Sequence, residues 1–234
     1  MRVLAIVHQP DAGPGVFSDA LRAAGAELEE WSPPNGPAPR DPLAYAAVIT
    51  LGGAMHVDQE REHPWLVTEK ELLGRLLERG VPQLGVCLGA QLLSEVAGGG
   101  AARAAEPEIG WYEVRITPQA GDDPVLGPLA PGFPALEWHS YEFSLPPAAT
   151  PLARSQGCLQ AFRLGAAWGI QFHAETTGAD LRHWIDDYRS DPDAVAAGLD
   201  PDSFRGRSDE LLPTWNELGR DLCGRFLEAA RASA

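Results

Sequence analysis

The stretch that decides the fold reads Pro82-Gln83-Leu84-Gly85-Val86-Cys87-Leu88-Gly89-Ala90-Gln91. The residues up to Val86 form a short apolar run typical of a buried strand, and those after Cys87 have the composition of a helix. A side chain on a tight turn between a strand and a helix is exposed at the carboxyl edge of a sheet, where open α/β sheets hold their ligands. Gly85 and Gly89 add no Cβ atoms to crowd such a turn. The stretch therefore predicts a strand, a turn that presents a cysteine, and a helix.

Strand and helix patterns of the same kind alternate along the first half of the chain. This alternation predicts a mostly parallel sheet covered by helices on both faces, which is an α/β fold. The predicted strands are 2–8, 26–31, 45–51 and 82–86, and the predicted helices are 16–24, 66–79 and 88–97.

The second half of the chain changes character, because apolar runs follow one another closely. Such spacing favours antiparallel or mixed strands. From residue 178 onward the pattern is helical, and Trp184, Phe204 and Trp215 are expected to belong to the core. We expect a single domain over 1–234, with its core in 1–176 and a C-terminal helical segment in 177–234. The predicted strands of this half are 109–117, 135–139, 159–164 and 167–172, with a loop over 118–134.

The charge balance limits the classes of partner that the protein is expected to bind. The chain has 18 Lys and Arg residues against 33 Asp and Glu residues, a formal net charge of −15. Such a surface repels nucleic acids and anionic membranes, which bind through basic clusters. No run approaches the roughly 18 apolar residues that a membrane span requires. We therefore expect neither a nucleic-acid nor a membrane partner.

The three cysteines, Cys87, Cys158 and Cys223, lie far apart and form no C-x-x-C pair. This spacing argues against a disulfide framework and a structural zinc site, and it fits a reduced, cytoplasmic setting. Cys87 differs from the other two because the amino-terminal end of the following helix would favour its thiolate form. The pattern predicts a nucleophile at Cys87. The alternative is a small buried core residue, which is the common fate of a free cysteine.

A thiol nucleophile usually needs a histidine that is itself held by a third group. Of the six histidines, His173 stands out because it ends an apolar strand, so that its ring can emerge at a sheet edge. In extended backbone, residues i and i+2 point to the same side, so Glu175 can accept a hydrogen bond from one ring nitrogen. The alternative is an ordinary surface pair. The two residues lie in the segment Gly169-Ile170-Gln171-Phe172-His173-Ala174-Glu175.

Together these segments resemble the class I glutamine amidotransferases, whose signatures run close to G-x-C-L-G-x-Q and G-x-Q-F-H-P-E. That family includes the amidotransferase domains of GMP synthase, carbamoyl-phosphate synthetase and anthranilate synthase. The separation of about 85 residues and the order Cys, His, Glu also match. The resemblance spans 1–176 and is greatest to the free-standing, GMP synthase-like members. It implies a three-layer, flavodoxin-like α/β fold with a mostly parallel central sheet and a C-terminal helical extension.

Residue by residue, the resemblance implies that Cys87 is the nucleophile, His173 the general base and acid, and Glu175 its orienter. The backbone amides of Gly53 and Leu88 would form the oxyanion hole, where preorganised donors stabilise the tetrahedral intermediate. No metal or organic cofactor is needed. The residues implied to bind the substrate are Gly52, Gln91, His139, Ser140 and Tyr141.

Two positions depart from the family pattern. Ala54 follows the glycine loop where the family often has proline, and Ala174 replaces the usual proline after the histidine. Neither change removes a catalytic group, but both touch loops that shape the substrate site.

The implied reaction is hydrolysis of the γ-amide of glutamine through a cysteine thioester, giving glutamate and ammonia. The sequence has no G-x-x-x-x-G-K-[ST] loop for ATP, so the synthetase that uses the ammonia is expected to be a separate protein. One alternative is a γ-glutamyl hydrolase that acts on γ-glutamyl amines or peptides. Another is a catalytically silent regulatory subunit, against which the complete set of Cys87, His173 and Glu175 argues.

Overall fold

The computed structural model describes residues 1–233, and Ala234, the end of the predicted C-terminal segment, lies outside the described residues. The described chain forms nine strands and six α-helices. The strands are β1 (Arg2–Ile6), β2 (Glu27–Trp31), β3 (Ala47–Thr50), β4 (Gln83–Val86), β5 (Gly100–Ile116), β6 (Gly132–Ser144), β7 (Thr150–Arg154), β8 (Leu159–Leu164) and β9 (Ala167–Ile170). The helices are α1 (Phe17–Ala23), α2 (Trp65–Glu78), α3 (Leu88–Val96), α4 (Gly178–Asp186), α5 (Pro192–Ala196) and α6 (Pro201–Ala232).

All nine strands join one mixed sheet in the order β2-β1-β3-β4-β9-β8-β7-β5-β6. The pairs from β2 to β9 are parallel, and those from β9 to β6 are antiparallel. β9 is the seam between the two halves. It lies beside β4, with Ile170 opposite Val86, so the chain returns from the antiparallel half to the strand that precedes Cys87.

Helices cover both faces of the parallel half, and the side chains of β3 show why. Successive residues of a strand point to opposite faces. Ile49 packs in the core cluster that includes residues of α1 and α6, whereas Val48 packs in the cluster with residues of α2 and α3. The predicted three-layer α/β fold is therefore confirmed.

The antiparallel half departs from the sequence-based boundaries. β7 was not predicted, β5 begins at Gly100 rather than 109, and β6 runs from Gly132 to Ser144, well beyond 135–139. The first part of β5 is rich in Ala and Gly, which are poor strand formers. Its pairing with β6 makes it a strand, with a register shift between Arg103 and Glu108. Tertiary pairing thus overrides local propensity here.

The C-terminal helices are confirmed, and the three aromatic residues expected in the core differ in burial. Phe204 and Trp215 are buried, as expected. Trp184 is only partly buried, since it packs against the core cluster and also lines a pocket. Within residues 1–233, no helix combines the length and apolar character needed to cross a membrane.

Candidate active site

Cys87 occupies the turn between β4 and α3 with φ 50° and ψ −110°. A positive φ is uncommon for a residue other than glycine, and it persists only where the surroundings fix it. Here the Cys87 amide donates to the Ile170 carbonyl at 2.8 Å, and the Gln91 amide donates to the Cys87 carbonyl at 3.0 Å. These bonds hold the Cys87 side chain at the carboxyl edge of the sheet, at the start of α3.

The glycines on either side of Cys87 are required by close packing. A Cβ on Gly85 would collide with the backbone of Gly89, and a Cβ on Gly89 would collide with the carbonyl of Thr50. The first turn of α3 therefore lies directly against β3 and β4. Only a chain without side chains at these two positions can make this turn.

His173 and Glu175 form a buried pair beside the sulfur. His173 Nδ1 lies 2.8 Å from Glu175 Oε1, and both side chains are almost fully buried. The backbone of His173 is fixed by its amide, which donates to Leu136 at 2.9 Å, and by its carbonyl, which accepts from Trp215 at 2.9 Å. The position of the His173 imidazole is therefore fixed by the Glu175 carboxylate and by hydrogen bonds of the His173 backbone amide and carbonyl.

The His173 ring and the Cys87 side chain meet at Gly52. A Cβ on Gly52 would lie 3.0 Å from Cε1 of His173 and 3.6 Å from Cβ of Cys87. Burial alone would lower the pKa of His173, but the Glu175 carboxylate and the Cys87 sulfur raise it well above its ordinary value. The sulfur and the carboxylate thus both favour an imidazolium between them. Because Gly52 has no side chain, the His173 ring and the Cys87 side chain can lie close together.

A second buried histidine–carboxylate pair, which the sequence analysis missed, supports the glycine loop. His8 Nε2 lies 2.9 Å from Glu69 Oε1, and His8 Nδ1 lies 2.9 Å from the Gly52 carbonyl. Because both partners are acceptors, both ring nitrogens donate and His8 is an imidazolium. Burial lowers the pKa of His8, but the Glu69 carboxylate outweighs this effect and raises it. The position of Glu69 on the apolar side of α2 was the available signal.

The predicted residues converge on one pocket of about 570 Å³. Gln91 ties α3 to β6, since its Nε2 donates to the Tyr141 carbonyl at 3.0 Å. Glu175 pairs with His173, and Gly52 lies against both the ring and Cys87. The predicted residues that line the pocket are Gly53, Cys87, Leu88, Gln91, His139, Ser140, Tyr141 and His173.

The ring of His139 is directed at protein groups. Its Nδ1 lies 3.0 Å from the Tyr141 carbonyl, and its Nε2 lies 3.3 Å from a carboxylate oxygen of both Glu108 and Glu137. Burial opposes the charged form, but the two carboxylates raise the pKa of His139 to about 10. Both ring nitrogens thus face protein groups, Nδ1 the Tyr141 carbonyl and Nε2 the two carboxylates, although the residue borders the pocket.

The outer wall of the pocket comes from α4, α5 and the turn between them, which sequence reasoning did not assign to the site. Trp184 packs edge-on against the His173 ring, with centroids 5.0 Å apart. Asp191 accepts from Trp138 Nε1 at 2.8 Å, and Asp193 pairs with Arg103. Asp191 followed by proline signalled the start of a helix. No pattern in the sequence indicated that this helix would fold over the cysteine.

Comparison with known proteins identifies the class. The family model for glutamine amidotransferase class-I matches residues 17–186. The chain is 27% identical over 190 residues to the glutamine amidotransferase-like protein YfeJ of Salmonella typhimurium, covering 76% of this chain and 77% of that protein. It is 36% identical over 139 residues to one subunit of the glutamine-hydrolysing GMP synthase of Sulfurisphaera tokodaii, covering 56% of this chain and 68% of that protein.

The fold agrees with this match. The crystal structure of a glutamine amidotransferase from Thermotoga maritima superimposes with a TM-score of 0.87 at 29% identity, covering 97% of this chain and 98% of that one. The chain belongs to the class I glutamine amidotransferase family. The resemblance drawn from the two sequence segments is confirmed.

Proposed function

We propose that this protein hydrolyses the γ-amide of glutamine, with Cys87 as nucleophile, His173 as general base and acid, and Glu175 as the group that orients His173. The observation that carries the proposal is the position of the His173 ring. Its Nδ1 lies 2.8 Å from Glu175, and the ring lies beside Cys87 in the lining of the pocket, with Gly52 against both. A thiol, a base and a carboxylate in this order form the arrangement that activates a nucleophile.

The reaction proceeds through a covalent intermediate. The Cys87 sulfur attacks the γ-carboxamide carbon, and His173 supplies the proton with which the nitrogen leaves as ammonia when the C–N bond breaks. A γ-glutamyl thioester remains. His173 then takes a proton from water, whose oxygen attacks the thioester, and glutamate leaves as the sulfur is released. No oxidant or metal enters this balance.

The backbone amides of Gly53 and Leu88 are suited to stabilise the oxyanion in both steps. Leu88 is the first residue of α3, where amide groups have no partner within the helix and the helix dipole favours negative charge. Gly53 lines the same pocket beside Cys87. The His8–Glu69 pair supports Gly53 indirectly, because His8 holds the carbonyl of the preceding Gly52.

The ammonia acceptor would be bound by a separate synthetase. A relative of this chain, by its name, is one subunit of a glutamine-hydrolysing GMP synthase. The pocket has room on the outer side of Cys87, towards Trp184 and Tyr188, from which ammonia can leave. A pull-down with the tagged protein, followed by measurement of glutaminase activity with and without the recovered partner, tests this assignment.

The size of the pocket favours a second candidate, a γ-glutamyl hydrolase that uses the same residues. Pockets of several hundred Å³ enclose drug-sized ligands, whereas glutamine has only about ten heavy atoms. The 570 Å³ pocket is lined by Cys87 and also by Tyr188 and Asp193 of the outer wall. The additional volume could receive the amine part of a γ-glutamyl amine or peptide.

One experiment separates the candidates. Glutamate release is measured with glutamine and with a series of γ-glutamyl amines, using the wild type and Cys87→Ala. A higher kcat/KM for glutamine supports the amidotransferase, and a higher value for a larger amide supports the hydrolase. Mass spectrometry after treatment with a glutamine-analogue electrophile should show one label on Cys87, with Cys223→Ser as the matched control. A protein that neither reacts nor hydrolyses any of these compounds is catalytically silent.

A further inference from the structure

A second cluster of reactive side chains lies behind the strand that carries His139. Glu108, His139 and Cys158 are all buried, and one potential ligand atom from each lies within 4.8 Å of those of the other two. Glu137 adds a fourth side chain, with Oε2 3.3 Å from His139 Nε2. None of these four groups is used by the proposed hydrolysis.

Several atoms of the cluster are buried without a hydrogen bond. Among the residues that the structure describes, both carboxylate oxygens of Glu137 and the Nε2 atom of His139 have no hydrogen-bond partner. Glu137 has no exposed surface. Buried polar atoms are normally satisfied, and buried carboxylates are costly unless a cation neutralises them. One imidazolium carries a single charge, so it balances only one of Glu108 and Glu137 when both are ionised.

The distances fit a tetrahedral metal ion. Zinc binds nitrogen and oxygen at about 2.0 Å and sulfur at about 2.3 Å, so the edges of its coordination tetrahedron measure about 3.3 Å between N and O and about 3.5 Å between S and O. His139 Nε2 lies 3.3 Å from an oxygen of Glu108 and 3.3 Å from one of Glu137. Cys158 Sγ lies 3.5 Å from Glu108 Oε2. The separations of His139 and Cys158 from Glu108 match the expected edges, and His139 and Cys158 lie within 4.8 Å of each other.

The groups around the cluster also suit a metal site. Metal-binding histidines usually donate their second ring nitrogen to a carbonyl or carboxylate. His139 Nδ1 lies 3.0 Å from the Tyr141 carbonyl, which leaves the lone pair of the neutral ring on Nε2. The amide of Gln160 donates to Glu108 Oε2 at 2.7 Å and so orients that carboxylate. Both the histidine and a carboxylate ligand are therefore oriented from outside.

The cluster lies close to the surface at the turn before β8. Gln156 and Gly157 are exposed, and Cys158 follows directly. A Cβ on Gly157 would lie 2.9 Å from Glu108 Oε1, so the cluster lies immediately beneath this turn.

We propose that Glu108, His139 and Cys158 form a binding site for one divalent cation of the zinc type, with the carboxylate of Glu137 beside His139. The sequence analysis predicted no metal site, because these ligands come from separate strands and a turn rather than from a C-x-x-C pair. The ion would neutralise the two carboxylates and let Cys158 bind as a thiolate. It would thereby fix β6 behind the pocket, independently of the reaction at Cys87.

Cobalt(II) tests the site, because a thiolate ligand gives this ion a charge-transfer band in the near ultraviolet. The titration is made on metal-depleted Cys87→Ser protein, which removes the other thiol that lies beside a histidine. One equivalent of cobalt should produce the band. The band should persist in the matched control Cys87→Ser/Cys223→Ser, whose second change removes a buried thiol in α6. It should disappear in Cys87→Ser/Cys158→Ser.

A second variant tests the metal site independently, in case the Cys158→Ser protein does not fold. Glu137→Gln in the Cys87→Ser background keeps the shape of the side chain and should weaken cobalt binding by about tenfold or more. Zinc should raise the Tm of the Cys87→Ser parent but raise it less in this variant. If Glu137 instead holds a proton and no ion binds, the parent will show no band, and the proposal fails. A band that survives in folded Cys87→Ser/Cys158→Ser would overturn it equally.

Discussion

Two histidines, His173 and His139, border the pocket, and they differ in the groups that surround their rings. Both are buried, and both have a raised pKa. His173 has one carboxylate behind it, with the ring facing a sulfur. His139 has a backbone carbonyl behind it and two carboxylates in front.

Under the proposed function, this difference separates the histidine that transfers protons to the substrate from one whose ring is turned towards protein groups. A general base needs a free position towards the reacting atom and a partner on the other side. His173 meets both conditions. His139 is enclosed by acceptors, so its ring supports β6. Burial and charge alone do not distinguish the two sites, whereas the direction of each ring does.

The largest expected effect is the loss of His173. In a comparable triad, loss of the nucleophile or the base lowers kcat by about 10⁶. We therefore expect His173→Gln to lower the kcat for glutamate release by a factor of that order, with Tm little changed. His139→Gln should instead lower Tm and leave most of kcat in the folded fraction. The two histidines would prove equivalent if both variants lost activity equally at unchanged Tm.

The second-largest effect on kcat is expected from the carboxylate that contacts the His173 ring. Glu175→Gln keeps the shape but no longer favours the imidazolium, and the corresponding change in a related triad costs about 10⁴ in kcat. Steady-state kinetics and circular dichroism should show a folded protein with this loss. Glu108→Gln is the matched control, since it alters the His139 site, and its kcat should stay within about tenfold of the wild type. A small loss in Glu175→Gln would remove Glu175 from the mechanism.

A smaller effect is expected at the His8–Glu69 pair. Removing one partner of a buried ion pair costs about 3–5 kcal/mol of unfolding free energy, so urea denaturation should show a loss of this order for Glu69→Gln. The exposed change Glu71→Gln on the same helix serves as control.

The same pair predicts a pH dependence of known sign. Because the pKa of His8 is raised in the folded protein, its stabilising contribution is fully present below the unfolded value of 6.5. The contribution falls as the pH rises through the folded pKa. The difference in unfolding free energy between the wild type and Glu69→Gln should therefore shrink at alkaline pH. A difference that grew with pH would contradict an imidazolium at His8.

The smallest expected effect lies at the outer wall. Trp184→Phe removes the indole N–H that donates to the Asp11 carbonyl at 3.1 Å but keeps an aromatic ring beside His173. We expect a change of a few-fold in KM, larger for bulky γ-glutamyl amides than for glutamine, and little change in kcat. Equal changes for all substrates would place Trp184 outside the part of the pocket that receives the amine.

The sequence was most informative where structure is local. The boundaries of β8 agree with the predicted 159–164, and the strand, turn and helix around Cys87 lie where the glycines required them. The sequence was least informative where distant segments decide the structure. β7 and the first part of β5 are strands only because of their partners.

The candidate site shows the same division. Cys87, His173 and Glu175 could be inferred because the strand–turn–helix pattern and the i, i+2 spacing can be recognised in the sequence itself. Glu69 could have been noticed, since it is a carboxylate among the leucines of α2. The wall from α4 and α5 and the cluster at Cys158 depend on which elements meet in space. No local pattern contains that information.

The position of α4 and α5 has a consequence for how this protein can change. Both helices follow the last strand of the sheet and border the pocket without contributing to the turn at Cys87. Apart from Trp184, which packs against His173, substitutions between residues 178 and 196 would therefore reshape the entrance without touching the proposed reacting groups. Under the proposed function, substrate preference could then change through a short segment that supplies none of those groups.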